Sequence, residues 1–196
     1  MIWVQIVMNP SHEVSRVGRG FSFALIVMSI LSLVIVSACG SNGASDSGFS
    51  KVQADSVVRD LGSFDFAKFK KAKTYDVEEL PGAVAAYMGY YKPAGSEPVQ
   101  YELRMYPDHA TAIASGVTYA KDVTGADALL RSVDVRWEEG TKDRRGGGAF
   151  SDGLTPLYGD FAVFGNVIML CEGRDSIQSL DRCEALLKGA GIIPVE

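Results

Sequence analysis

With 196 residues, 47% hydrophobic and 22% charged, the chain is long enough for one packed domain with additions and too short for two full ones. Its formal charge of −5 speaks against nucleic acid as a partner, because phosphates demand a basic face. The same acidity gives no sign of attraction to an anionic lipid surface by charge.

The N-terminus is built differently from the rest. Arg16 and Arg19 precede an uncharged apolar run, Phe21 to Val36, broken only by Ser22, Ser29 and Ser32, and the small residues Ser37 and Ala38 follow it. Basic, then apolar, then small is the order of a secretory signal. The run falls short of the roughly 20 residues that span a bilayer as a helix; the alternative is an uncleaved membrane anchor.

The tetrad Val36-Ser37-Ala38-Cys39 resembles the lipobox of bacterial lipoproteins, an aliphatic residue and two small ones before a cysteine. That resemblance covers only the leader. It implies cleavage before Cys39, a diacylglycerol thioether on its sulfur and further acylation such as palmitate. It also implies an extracytoplasmic domain held to a membrane by lipid. Each buried methylene adds roughly 0.8 kcal/mol of membrane affinity, so two or three acyl chains anchor stably. The stretch before the apolar core is long for such a signal, so translation starts at Met1 or at Met8. Gly40 stands where an aspartate commonly marks inner-membrane retention; which membrane receives the protein is left open.

Three segments follow from this: a lipoprotein signal peptide over 1–38, a flexible small-residue tether over 39–48, and a single globular domain over 49–196. Without residues 1–38 the chain keeps 17 basic and 23 acidic residues.

In the domain, Ala54, Val57, Val58 and Leu61 recur at helical spacing, with Gly62 placed to stop the helix. Phe64, Phe66 and Phe69 follow among lysines, where helix and strand cannot be told apart. Ala83 to Tyr91 is apolar and aromatic, Lys92 to Pro98 is a loop, and Val99 to Met105 alternates. Val99, Tyr101, Leu103 and Met105 lie on one side; Gln100, Glu102 and Arg104 lie on the other, which the alternation assigns to solvent. Asp108 is placed to cap a helix striped by Ala110, Ile113, Ala114, Val117 and Ala120, with Gly125 beyond its end. Val133, Val135 and Trp137 alternate with Asp134, Arg136 and Glu138, predicting a further strand. Glu139 to Pro156 reads as a loop around Gly146-Gly147-Gly148.

Gly165-Asn166 separates two apolar runs as a two-residue hairpin turn does. Asp175 or Ser176 then caps a helix carrying Ile177, Leu180, Cys183 and Leu187. Hairpin followed by Asp-capped helix thus occurs twice, at 83–123 and 160–188. The pattern predicts an α+β fold: an antiparallel sheet of two hairpins plus an extra strand, with helices packed on one face. With Cys39 acylated, Cys171 and Cys183 remain as a pair. In an oxidising compartment a disulfide is the default, and two free buried thiols are the alternative.

No catalytic signature is present. His109 is the single histidine of the domain, and neither a Gly-x-Ser-x-Gly elbow nor a His-Glu-x-x-His helix occurs. Neither a metal nor a cofactor is expected. Arg144-Arg145-Gly146-Gly147-Gly148 lacks the Gly-Lys-Ser/Thr ending of a phosphate loop and reads as a mobile loop. The tyrosines are the most informative set. Tyr87 and Tyr91, with Glu102, Arg104 and Arg136, are expected to line a shallow ligand or partner surface, although exposed strand faces favour such residues for sheet stability alone. The expectation is a non-enzymatic, lipid-tethered binding or accessory module for an unknown small ligand or envelope protein. A structural envelope protein and an enzyme using His109 with carboxylates are the other readings.

Overall fold

A computed structural model describes residues 48–147 and 153–195. The signal peptide, Cys39 and nearly all of the tether lie outside the described residues, as do Gly148 and the rest of the loop apex. Among the described residues, no helix is long and apolar enough to cross a membrane.

The domain is α+β. Its main sheet holds six strands: β1 (Val52–Gln53), β2 (Lys70–Tyr75), β3 (Ala85–Tyr91), β4 (Val99–Met105), β7 (Tyr158–Phe164) and β8 (Val167–Glu172). Their spatial order is β1-β7-β8-β4-β3-β2. β3 and β4 pair antiparallel over their whole length, from Ala85↔Met105 to Tyr91↔Val99. β7 and β8 pair antiparallel around Gly165-Asn166, and β4 joins the two pairs through β8. β1 runs parallel to β7, so the sheet is mixed and not purely antiparallel. A small second sheet pairs β5 (Arg145–Gly146) with β6 (Thr155–Pro156).

The helices do not share one face of the sheet, as the pattern had predicted. The odd-numbered residues of β4 and β8, Tyr101, Leu103, Met105, Met169 and Cys171, meet the long helix α3 (Ser176–Gly189) through Leu180, Cys183, Leu186 and Leu187. Their even-numbered neighbours Ile168 and Leu170, with Phe161 and Val163 of β7, pack on Ala112 and Ala120 of the other helical segment and on Val123 just beyond it. That segment comprises α1 (His109–Thr111), a π turn (Ala112–Gly116) and α2 (Val117–Lys121). Period-two alternation with both parities apolar is the mark of a strand covered on both sides.

Both predicted caps are present. The Asp108 carboxylate accepts from Thr111 N at 2.7 Å, and that of Asp175 from Gln178 N at 2.8 Å. The Cys171–Cys183 disulfide joins the end of β8 to α3, with Cα atoms 5.6 Å apart.

Two predicted elements are absent. Ala54 to Leu61 is not a helix: Asp55 accepts from Val57 N at 2.8 Å, a local turn that competes with helical hydrogen bonding, and only a 3-10 turn forms over Leu61–Phe64. Val133 to Trp137 is not a strand but a run of turns and bends. It crosses β2–β4, where Trp137 closes a third apolar cluster with Tyr75, Leu80, Ala86 and Met88.

Candidate functional site

Glu102 and Arg104 leave the wet side of β4 because the segment after α2 folds down over it. Both are fully buried. Gly140 begins the descent, with a left-handed backbone at φ 76°; a Cβ there would meet Arg144 Nη2 at 2.8 Å and the Tyr75 ring at 2.9 Å, so glycine serves both the turn and the close approach. The 3-10 turn Thr141–Arg144 follows, and Thr141 Oγ1 donates to the Glu138 carbonyl at 2.6 Å. This carries Arg144 inward until it is as buried as its partner Glu102.

One carboxylate is thereby shared by two guanidinium groups. Arg104 Nε donates to Glu102 Oε1 at 2.7 Å, Arg144 Nε donates to Oε2 at 2.7 Å, and Arg144 Nη2 donates to Oε1 at 3.2 Å. Burial disfavours the charged form of Glu102, but the two cations outweigh it and hold the carboxyl below its ordinary range. Trp137 lies against both cations, its ring centroid 4.9 Å from Arg104 Cζ and 4.4 Å from Arg144 Cζ. A polar frame surrounds them: Tyr75 OH donates to Asp143 Oδ2 at 2.8 Å, and Gln100 Nε2 donates to the Asp143 carbonyl and the Tyr158 hydroxyl. Burial, with Glu102 nearby, pushes the Tyr75 and Tyr158 phenols far above their ordinary range, so both stay neutral.

Outside this frame lies an open cleft of about 690 Å³ between the end of β2 and the 132–145 segment. Trp137 and Gly140 contribute to its wall. Asp76, Glu78, Glu79, Glu138, Glu139 and Asp143 supply carboxylates against the cations of Lys73, Lys142 and Arg145. Asp143 is paired with Lys73, and Arg145 Nη1 donates to the Leu130 carbonyl. Trp137 Nε1 donates to the Asp76 carbonyl at 3.1 Å and ties the two walls together.

The residues expected to form one ligand surface are distributed over both faces. Tyr87 and Tyr91 pack half-buried against the α3-side core, with the Tyr91 and Tyr101 rings 6.3 Å apart. Glu102 and Arg104 sit on the opposite face, buried and not solvated. Arg136 is exposed; it pairs with Asp122 at 3.1 Å and lies over Tyr119. These five side chains do not make one surface, because the period-two pleat sends the tyrosines and the charges to opposite sides. His109 Nδ1 bonds to the Gly165 carbonyl at 2.8 Å and ties α1 to the β7–β8 turn. Among the described residues, no group of three or more His, Cys, Asp or Glu side chains is placed to hold a metal ion.

Sequence reading missed Trp137, Tyr75 and Arg144 as members of the site. Their one local signal was a tryptophan followed three residues on by a glycine and then an Arg-Arg pair, a constellation that fits an ordinary loop equally well.

No curated protein and no solved structure matches the chain. Residues 59–190, which span β2 through α3 and hold every residue of the buried cluster and the cleft, match the model of a family of unknown function, DUF6810. That match covers more than half of the chain, and the protein belongs to this family.

Proposed function

We propose that the protein is a lipid-anchored extracytoplasmic binding module, and that its ligand site is the cleft beside Trp137. The observation that carries the ligand site is the cleft itself, about 690 Å³ against a wall held rigid by the Glu102–Arg144–Trp137 cluster. Small-molecule sites have volumes of about 300–1,000 Å³ and are largely formed in advance. Carboxylates outnumber cations around the cleft two to one, so the ligand carries positive charge. The reading of the anchor rests on Val36-Ser37-Ala38-Cys39 and the apolar run before it.

Thermal unfolding of the full chain in detergent, titrated with spermidine as a linear polycation, tests the cleft. The midpoint rises to a plateau in the native sequence and stays flat in a Glu78→Gln, Glu79→Gln, Glu138→Gln variant. A midpoint insensitive to spermidine in the native sequence refutes the cleft reading. The anchor is tested separately by mass spectrometry of the protein extracted from its native membranes. Acylation at a Cys39 N-terminus is expected, and an intact leader with an unmodified Cys39 thiol would refute it.

A further inference from the structure

We infer that Arg104 forms a binding site for a carboxylate group, in a small chamber beside Trp137. The chamber is lined by Arg104, Tyr119, Asp122, Arg136, Trp137 and Arg144, with Val123 and Val135.

Three observations carry this. First, Arg104 is fully buried, and its Nε is used by Glu102, yet Nη1 and Nη2 have no hydrogen-bond partner. Buried donors are nearly always satisfied, and a guanidinium left with its end-on edge open is an exception needing a partner. Second, the acids nearby leave that edge unused. Arg104 and Arg144 share the single carboxylate of Glu102, and Asp122, on the chamber wall, is paired through Oδ2 with the exposed Arg136 and makes no hydrogen bond with Arg104. Third, the two free nitrogens form a planar fork, whose spacing matches the two oxygens of a carboxylate.

As it stands the chamber is too narrow to admit a water molecule. Its weakest wall is Arg136, whose side chain is 56% exposed and held by Asp122 and by the Tyr119 face 6.0 Å away. Swinging Arg136 outward opens the chamber without disturbing the Glu102 cluster. Apart from Trp137, which stands between them, the side chains here are not those of the acidic cleft, so this site and the spermidine reading stand or fall apart.

Trp137 reports on the site. It is the only tryptophan besides Trp3, and a Trp3→Phe background makes it the only one in the chain. Formate, benzoate and chloride are titrated into that protein at constant ionic strength while Trp137 fluorescence is followed. A saturable response to formate that chloride does not reproduce supports the site. If benzoate responds as well, the chamber accepts the carboxylate end of a larger molecule; if only formate responds, it takes a free small carboxylate. Arg104→Lys keeps the charge beside Glu102 but removes the fork, and is expected to weaken formate binding about tenfold. Arg136→Ala leaves the cluster intact and is expected to speed formate association, which keeps the test decisive should Arg104→Lys fail to fold. Absence of saturation by formate, an equal response to chloride, or unaltered affinity in folded Arg104→Lys overturns the inference, as does an unaltered association rate in Arg136→Ala.

Discussion

Glu102 is the residue on which the interior charge turns. Its two oxygens accept three donors from Arg104 and Arg144, and all three side chains are out of water. Removing one partner of a buried ion pair costs about 3–5 kcal/mol, because the remaining charge keeps its desolvation penalty and loses its compensation. Glu102→Gln preserves shape and is therefore expected to lose about that much stability, read as a lower urea midpoint with unchanged slope. An unchanged midpoint would mean the two arginines do not depend on the carboxylate.

The same residue sets a pH dependence. Its folded pKa lies below the ordinary 4.5, so the stabilisation is fully present above that value and is lost as pH falls through the folded pKa. The unfolded chain takes up the proton first, which fixes the sign. Urea midpoints of the native sequence should therefore fall below about pH 4, and the gap to Glu102→Gln should narrow over the same range. Some acid sensitivity persists in the variant, because backbone N–H groups hold the capping carboxylates of Asp108 and Asp175 below their ordinary range too. A gap that stays constant down to acid unfolding would contradict this account.

At the scale of elements, β7 must pass close under the cap of α3. Tyr158 and Asp160 flank a register shift where Gly159 stands, and a Cβ on Gly159 would press into the Asp175 backbone. Backbone cannot rotate away as a side chain can, and overpacking of this kind typically costs about 1–3 kcal/mol. Gly159→Ala should therefore lower the melting temperature, whereas Gly95→Ala, with nothing within 4 Å of the added carbon, should cost less despite its φ of 74°. Equal shifts in the two variants would mean that the contact at Gly159 costs no more than the left-handed backbone at Gly95 does.

The elements also mark what could be read from sequence. The β3–β4 and β7–β8 pairs, both Asp caps and α3 were legible, because alternation, turn residues and cap residues are local signals. The fate of Glu102 and Arg104 was not. Alternation correctly put them opposite Tyr101 and Leu103, but their cover comes from Trp137 and Arg144, more than 30 residues on. Val133, Val135 and Trp137 keep strand spacing, yet no strand pairs with them, so Val133 stays 80% exposed while Trp137 is buried. The parallel β1–β7 pair is two residues long and more than 100 residues apart in the chain, and leaves no local trace.

For the molecule as a whole, the disulfide decides how firmly the last helix is held. Cys171 ends β8 and Cys183 lies twelve residues later on α3, both fully buried in the core between helix and sheet. Closing a loop of that length lowers the entropy of the unfolded chain by an amount worth about 3 kcal/mol at 25 °C. It does so with little effect on the sheet's far side, where Trp137 and the Arg104 cluster pack against β2–β4. Reduction should therefore lower the urea midpoint by about 3 kcal/mol of stability while leaving Trp137 fluorescence in the folded protein unchanged. Because neither sulfur reaches solvent, reductant should act on the folded protein only as fast as α3 opens. Hydrogen exchange at Leu186 and Leu187 should then accelerate on reduction, and exchange at Leu103 should change less. Equal acceleration at all three amides would show instead that helix and sheet open as one unit, and that the covalent link adds global stability without dividing the fold into a tethered helix and an independent sheet.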